Sequence, residues 1–241
     1  MDGAQRMTHE QRIAFAFILI AWSGILAATC SGCGVVLDPP YCEEPVVGLT
    51  TEKIVGGESS AERRSLAYIQ GNGYHCSATV VGPHTVLTAG HCEDMTDVLV
   101  EGEAWYDVTA SLTHPDYLFP TADLQLLYVA EVLPEPYAEL ATTDIECVSL
   151  LAQGYGIGSE GLYGSEREVF QSGRIGDQLF NSTAIAPGDS GGPLYAFRAD
   201  GSYVLIGVAS WGWGGADVEY EGGTGHISVP EHHTWITENI K

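Results

Sequence analysis

The chain has 241 residues, of which 45% are hydrophobic, so it is long enough for one large or two small domains with packed cores. It carries 9 basic and 32 acidic residues, a net charge of −23. Because phosphate binding depends on Lys and Arg, this charge argues against a nucleic-acid partner or an anionic membrane surface.

The first segment is typical of a secretory signal. Residues 13–29 are uncharged and are preceded by two arginines. At 17 residues this stretch is shorter than the roughly 20 that span a membrane, so we expect residues 1–32 to be a signal peptide of a secreted, periplasmic or extracellular protein. Two alternatives tether the protein to a membrane: a retained anchor, and acylation of Cys33 in an imperfect lipoprotein signal.

Residues 33–53 predict a linker or propeptide, since they contain three prolines and no periodic apolar pattern. They end at Lys53, and the sequence Ile-Val-Gly-Gly follows at residues 54–57.

The next part predicts β-strands that lead to a histidine. Residues 68–70 and 74–81, separated by Gly-Asn-Gly, predict a hairpin, and residues 85–88 predict another strand. That strand runs into Ala-Gly-His-Cys at residues 89–92. We take His91 as the candidate general base.

A candidate carboxylate comes next. Residues 98–112 are rich in Val, Trp, Tyr and Thr, as expected of a strand pair. Asp123 then leads into an apolar strand, where a buried carboxylate needs a partner such as an imidazole N–H. A turn-capping role is the alternative for Asp123. The competing carboxylate, Asp116, precedes no comparable strand.

The most informative string is Gly-Asp-Ser-Gly-Gly-Pro at residues 188–193. A serine between glycines on a tight turn has an unshielded hydroxyl, and the glycine backbone can aim N–H groups at an oxyanion. Ser190 is therefore the candidate nucleophile. The string also matches the G-x-S-x-G elbow of esterases, but that elbow needs a helix after the serine, whereas residues 194–197 predict a strand.

Motifs at residues 54–57, 89–92, 121–127 and 188–193 resemble, in order, those of the chymotrypsin-like (trypsin-fold) serine proteases. The resemblance implies an all-β fold of two six-stranded antiparallel β-barrels, with the active site between them and a short C-terminal helix. It implies a peptidase domain over residues 54–241, with barrels at about 54–137 and about 138–241. We expect the helix within residues 232–240.

The resemblance also implies the roles of the site residues. His91, Asp123 and Ser190 form the triad, in the order His, Asp, Ser along the chain. The backbone N–H groups of Gly188 and Ser190 form the oxyanion hole. Ser210 supports Asp123. No metal or cofactor is required.

Activation by cleavage after Lys53 is a further implication of the resemblance. In the family the freed ammonium of the new N-terminal isoleucine, here Ile54, pairs with the aspartate before the serine, here Asp189. A buried ion pair is costly to leave half-made, so this pair acts as a switch. We therefore expect a monomeric zymogen that an activating protease converts into an enzyme acting on peptides or proteins.

By the same resemblance, Cys76 and Cys92 form the disulfide of the histidine loop, which is worth about 3 kcal/mol for a loop of roughly 15 residues. Cys147 has no cysteine after it, and Cys42 in the propeptide is its expected partner. A free buried thiol is the alternative for Cys147.

The resemblance places six residues in the substrate-binding region: Ala184 at the base of the primary pocket, then Ile185, Ser210, Trp211, Gly212 and Gly225. No acid lies at the base, so a substrate Arg or Lys would be buried without a counter-charge. We expect cleavage after Phe, Tyr or Leu. A different, trypsin-like protease would then have to cut after Lys53.

The main alternative is a protease-like protein that binds a partner without cutting it. Retention of all three triad residues disfavours this alternative. The few cysteines and the strong acidity favour a bacterial exported protein.

Overall fold

The computed structural model of the chain describes residues 58–59, 65–100, 102, 104–143, 150–156, 165–169, 171–181, 185–198, 202–213 and 223–241. The expected signal peptide and propeptide lie outside the described residues, as do Lys53, Ile54, Cys42, Cys147 and Ala184. Across the described residues, none of the helices is long and apolar enough to cross a membrane.

The N-terminal half is a closed six-stranded barrel, as the family resemblance implies. Its antiparallel strands follow each other around the barrel in the order β2-β3-β4-β7-β6-β5. They are β2 (Leu66–Gly71), β3 (Tyr74–Gly82), β4 (Thr85–Thr88), β5 (Asp97–Val100), β6 (Ala104–Thr113) and β7 (Gln125–Val129). The predicted β2–β3 hairpin is confirmed: Asn72 and Gly73 turn with φ of 54° and 85°, as a two-residue hairpin with the right-handed twist requires.

The C-terminal half is a second antiparallel sheet. Together with β1 (Glu58–Ser59), its strands are β8 (Leu150–Gly154), β9 (Ser165–Val169), β10 (Gln171–Ile175), β11 (Gln178–Asn181), β12 (Pro193–Phe197), β13 (Tyr203–Trp213) and β14 (Gly223–Ser228). The order across this 8-stranded sheet is β1-β9-β8-β12-β13-β14-β11-β10.

The positions of β9 and β10 explain how this 8-stranded sheet corresponds to the expected six-stranded barrel. Only one residue separates these two strands in sequence, yet β10 lies at one edge of the sheet and β9 lies next to the other edge. The sheet must therefore curl until its edges approach each other, with β9 and β10 as two arms of one bent strand. Counted this way, β9/β10, β8, β12, β13, β14 and β11 make six strands, and β1 adds to the edge.

The core between the halves is apolar and continuous. Leu124 and Leu126 from the N-terminal barrel pack in one buried cluster with Tyr195 and Val208 from the C-terminal sheet. Burial of this kind, worth about 25 cal/mol per Å² of apolar surface, joins the halves into one body. The loops that face each other across this interface carry the site.

The chain ends in a helix, as the sequence predicts, but the helix begins earlier than expected. Helix α1 spans Val229–Asn239, and Pro230 lies in its first turn, where the missing N–H costs nothing. Val229 and Ile236 are its buried residues. After the helix the chain returns to the N-terminal barrel, where the backbone N–H of Lys241 donates to Thr85 Oγ1 over 2.9 Å.

We expect Ile236→Ala to lower the free energy of unfolding by about 2–5 kcal/mol, because it leaves a cavity at a side chain that is 0% exposed in the core between the halves. Urea denaturation measures this. Glu238→Ala, on the exposed side of the same helix, is the control and should change the free energy by less than about 0.5 kcal/mol. Equal effects of the two substitutions would contradict the packing described for α1.

Candidate active site

The site is built around Asp123, which is 0% exposed. Its carboxylate accepts three hydrogen bonds: from His91 Nδ1 over 2.7 Å, from the His91 backbone N–H over 2.8 Å, and from Ser210 Oγ over 2.5 Å. Three donors satisfy a charge that would otherwise be very costly to bury. Asp116, the competing carboxylate, lies elsewhere, with its backbone N–H donating to His114 Nδ1 over 3.1 Å.

His91 is held in one orientation by this carboxylate. Because a carboxylate can only accept, the neutral imidazole carries its proton on Nδ1, and Nε2 keeps a free lone pair. The side chain is 29% exposed, and the ring of Phe119 meets it edge-to-face at 5.7 Å. The expected Cys76–Cys92 disulfide is present and anchors the residue next to His91.

The turn that carries Ser190 depends on glycines. Gly188 and Gly191 have φ of 101° and 81°, a conformation that disfavours side chains. A Cβ at Gly191 would also lie 2.1 Å from Thr88 Oγ1, at the end of the strand that leads to His91. Close packing of the serine turn against the histidine loop therefore requires glycine here.

A residue that the sequence analysis did not identify, Ser77, ties this turn to the N-terminal barrel. It is 0% exposed on β3. Its backbone N–H donates to the Ser190 carbonyl and its Oγ donates to the Gly188 carbonyl, each over 2.8 Å. Its Oγ also accepts from the Tyr155 N–H over 2.8 Å. No local pattern could have indicated a contact between residues 111 apart in sequence.

The serine turn has two backbone N–H groups without an acceptor among the described residues. Within the described part of the chain, the backbone N–H groups of Gly188 and Ser190 donate to no other residue. In the described part of the chain, Ser190 Oγ and His91 form no hydrogen bond. Such catalytic hydrogen bonds are often long without substrate. The two residues belong to neighbouring loops, since the Ser190 carbonyl oxygen lies 3.9 Å from the sulfur of Cys92, which follows His91.

Asp189 is a second buried carboxylate, 1% exposed. It accepts from the backbone N–H of Gly156 over 2.6 Å and from that of Ala186 over 2.8 Å. A Cβ at Gly154 or Gly156 would collide with it, so glycine is required at both positions. Burial raises the pKa of Asp189 to about 6, against the opposing effects of these N–H groups and His75.

The strand of the expected substrate region is β13, and its pairing with β14 shows which residues share a face. Trp211 pairs with Gly225, and a Cβ at Gly225 would strike the Trp211 ring. Gly225 therefore lies on the Trp211 face. Thr224, which pairs with Gly212, is the residue that shares the face of Gly212. On that face, Ile185 Cγ1 lies 2.9 Å from where a Cβ on Gly212 would be.

His226 follows Thr224 by two positions on β14 and therefore shares its face. It is 1% exposed, and burial lowers its pKa to about 3, so the ring is neutral at physiological pH. Its Nδ1 is hydrogen-bonded to Asn181 Nδ2 over 3.1 Å. This face of the sheet therefore brings no side-chain charge from Thr224 or His226. Among the described residues, no group of His, Cys, Asp or Glu has the geometry of a metal site.

A two-part β fold, a carboxylate-held imidazole and a glycine-flanked serine together describe a serine peptidase. The family model for trypsin matches residues 54–236. The chain therefore belongs to the trypsin family and is a serine endopeptidase, a hydrolase.

Similar proteins come from animals. The chain is 27% identical to "Serine proteinase stubble" of Drosophila melanogaster, over 83% of this chain and 32% of that protein. It is 28% identical to "Trypsin" of Simulium vittatum over 62% of this chain and 75% of that protein, and 26% identical to "Anionic trypsin" of Bos taurus over 78% and 90%. It thus spans about a third of the length of the first of these and most of the two trypsins. The expectation of a bacterial source is not supported.

Among solved structures, the fold matches "Neuropsin, a serine protease expressed in the limbic system of mouse brain", with a TM-score of 0.62 and 20% sequence identity. The match covers 76% of this chain and 97% of that one, which confirms the fold class. Proteins of this family are mostly secreted or extracellular.

The raised pKa of Asp189 predicts a pH dependence of stability. The folded state holds this proton up to about pH 6, whereas the unfolded carboxyl loses it near 3.8, so the free energy of unfolding falls as pH rises through this window. We expect a contribution of about 3 kcal/mol. From pH 4 to pH 7, urea denaturation of the uncleaved protein should therefore show Asp189→Asn gaining most of this amount relative to the unsubstituted protein.

Asp107→Asn, at an exposed carboxylate, is the control and should show a nearly constant difference over the same range. If the difference for Asp189→Asn were also independent of pH, Asp189 would not be the buried titrating group described here.

Proposed function

We propose that the chain is made as a secreted zymogen, with residues 1–32 as its export signal, and that the enzyme cleaves peptide bonds with a triad of His91, Asp123 and Ser190. The observation that carries the proposal is the buried Asp123 carboxylate, with His91 Nδ1 at 2.7 Å and Ser210 Oγ at 2.5 Å. This arrangement fixes the imidazole tautomer that can accept a proton at Nε2. Membership of the trypsin family supports the same assignment.

In this mechanism Ser190 Oγ attacks the carbonyl carbon of the scissile bond while His91 Nε2 takes the hydroxyl proton. The carbonyl oxygen becomes an oxyanion, which the N–H groups of Gly188 and Ser190 bind. His91 then gives its proton to the leaving amine, and an acyl-enzyme ester remains on Ser190. Water, deprotonated by His91, hydrolyses this ester and restores the serine hydroxyl. Asp123 stabilises the charged imidazole in both halves of the reaction.

Activation is proposed to depend on Asp189. Among the described residues the direct hydrogen-bond donors to its carboxylate are backbone N–H groups, which leave the burial of its charge only partly compensated. Cleavage after Lys53 would supply the ammonium of Ile54 as a full counter-charge. In this proposal, a chain with a formed Asp123–His91 pair still needs the cut after Lys53, because the turn that contains Asp189 and Ser190 gains its final stability only afterwards.

The substrate preference is proposed to be a bulky apolar side chain before the scissile bond, such as Phe, Tyr or Leu. Ile185 beside Gly212, and the uncharged Thr224 and His226, support this preference because none of them provides an anion for Arg or Lys. A separate protease with trypsin-like preference would then perform the activating cut after Lys53.

Labelling with a serine-directed phosphonate tests the triad. The protein cut after Lys53 should gain one phosphonate on Ser190, detected by intact mass and peptide mapping, because only an activated serine reacts. Ser190→Ala and the uncut protein are the controls and should stay unlabelled. Labelling at another serine, or no labelling of the cut protein, would favour a partner-binding protein that does not cleave.

A peptide panel that varies the residue before the scissile bond tests the preference. We expect kcat/KM for Phe, Tyr and Leu substrates to exceed that for Arg and Lys by at least about 100-fold, since burying an unpaired cation costs several kcal/mol. Thr224→Asp, which adds an anion beside Gly212, should raise the relative rate for Lys and Arg. Fastest cleavage after Arg or Lys by the unsubstituted enzyme would overturn the preference.

A further inference from the structure

Outside the proposed substrate-binding residues, a series of hydrogen bonds connects the C-terminal half to the loop that carries Asp123. It begins at Asp177, in the turn between β10 and β11, whose side chain is 15% exposed. One carboxylate oxygen, Oδ2, accepts the backbone N–H of Ala122 over 2.7 Å and lies 3.2 Å from His232 Nε2 on helix α1. The other nitrogen of His232 lies 3.2 Å from His114 Nε2.

The donor and the acceptor of each hydrogen bond in this series can be assigned. Asp116 offers a backbone N–H to His114 Nδ1, so the neutral His114 carries its proton on Nε2. The Asp177 carboxylate only accepts, so His232 carries its proton on Nε2 and accepts at Nδ1 from His114. Every bond then runs in one direction toward Asp177. The hydrogen bonds of the two imidazoles and the carboxylate are then mutually consistent, and together they hold the Asp177 side chain in place.

Asp177 is also held by its backbone, because its carbonyl accepts the N–H of Ser228 over 2.7 Å. Since Ser228 directly precedes α1, the backbone and the side chain of Asp177 are both tied to the start of that helix. Its carboxylate is therefore a fixed acceptor that the C-terminal half presents to the N-terminal barrel.

The Ala122 backbone, whose N–H donates to the Asp177 carboxylate, is strained. Ala122 is 1% exposed and has φ of 46°, in the left-handed region that costs a non-glycine residue of the order of 1 kcal/mol or more. Its carbonyl accepts the N–H of Leu124 over 2.8 Å, which closes a three-residue turn with Asp123 at its centre. Such a conformation persists only when surrounding bonds hold it, and the bond from Ala122 to Asp177 is the one made across the interface between the halves.

The geometry points to Asp177, oriented by His232, as a positioning residue that sets the Asp123 carboxylate toward His91 by holding the strained turn at Ala122. This inference rests on the proposed triad. It gives the C-terminal half a second hold on Asp123: Ser210 bonds the carboxylate itself, and Asp177 bonds the backbone one residue before it. Asp177 touches neither substrate nor the reacting atoms, so its effect should appear in the chemical step and not in substrate binding.

The experiment measures kcat and KM of the full chain cut after Lys53, with active enzyme counted by phosphonate titration. We expect Asp177→Ala to lower kcat by roughly tenfold or more with little change in KM, since a lost hydrogen bond to a charged acceptor is worth about that factor. Asp177→Asn retains an oxygen for the Ala122 N–H and should recover most of the loss. Glu231→Gln is the matched control, because Glu231 directly precedes His232 on α1 and forms an ion pair with Arg174. This substitution should leave kcat unchanged.

An unchanged kcat in folded Asp177→Ala, or equal losses in Asp177→Ala and Glu231→Gln, would overturn the inference. If Asp177→Ala does not fold, His232→Phe replaces it: a fall in kcat at constant KM supports the inference, and an unchanged kcat overturns it. Asp123→Ala separates this result from the proposed function. If Asp123→Ala loses activity while Asp177→Ala does not, only the positioning role fails; if Asp123→Ala keeps full activity, the triad itself fails.

Discussion

The burial of the Asp123 charge is the constraint on which the site depends. A carboxylate at 0% exposure is tolerable only when donors surround it, and here the donors come from both halves of the fold. His91 belongs to the N-terminal barrel and Ser210 to the C-terminal sheet, so the charge is fully satisfied only when the halves are packed together. The geometry of the candidate site and the packing of the interface therefore stabilise each other.

The serine turn also depends on contacts between the two halves. It belongs to the C-terminal half, yet Ser77 of the N-terminal barrel bonds the carbonyls of Gly188 and Ser190. In the same turn, the backbone N–H groups of Gly188 and Ser190 donate to no other residue of the described part of the chain. Each half thus shapes a loop of the candidate site that belongs to the other half, which explains why residues from distant parts of the chain are needed to build one site.

The sequence predicted local features well, and it predicted long-range contacts only where family motifs mark them, as for Asp123 with His91 and Ser210. The β2–β3 hairpin, the Cys76–Cys92 disulfide and the terminal helix follow from turn residues, cysteine spacing and family motifs, which are local signals. Ser77 and Asp177 were missed because their partners are 111 and 55 residues away and nothing nearby marks them. The pairing of Gly212 with Thr224 was also not predicted, because it follows from the register shift between Ala209 and Trp211 in β13.

The two buried aspartates differ in how completely their charges are compensated, and this difference fits the proposed order of events. Asp123 has an imidazole, an amide and a hydroxyl as donors. Asp189 has two backbone N–H groups, and burial leaves its pKa raised to about 6. A carboxylate in that state gains more from a new cation than one already satisfied, because a counter-charge offsets part of the remaining cost of burying its charge. Under the proposed activation, the His91–Asp123 pair would therefore form during folding, and the serine turn would adjust only after the cut.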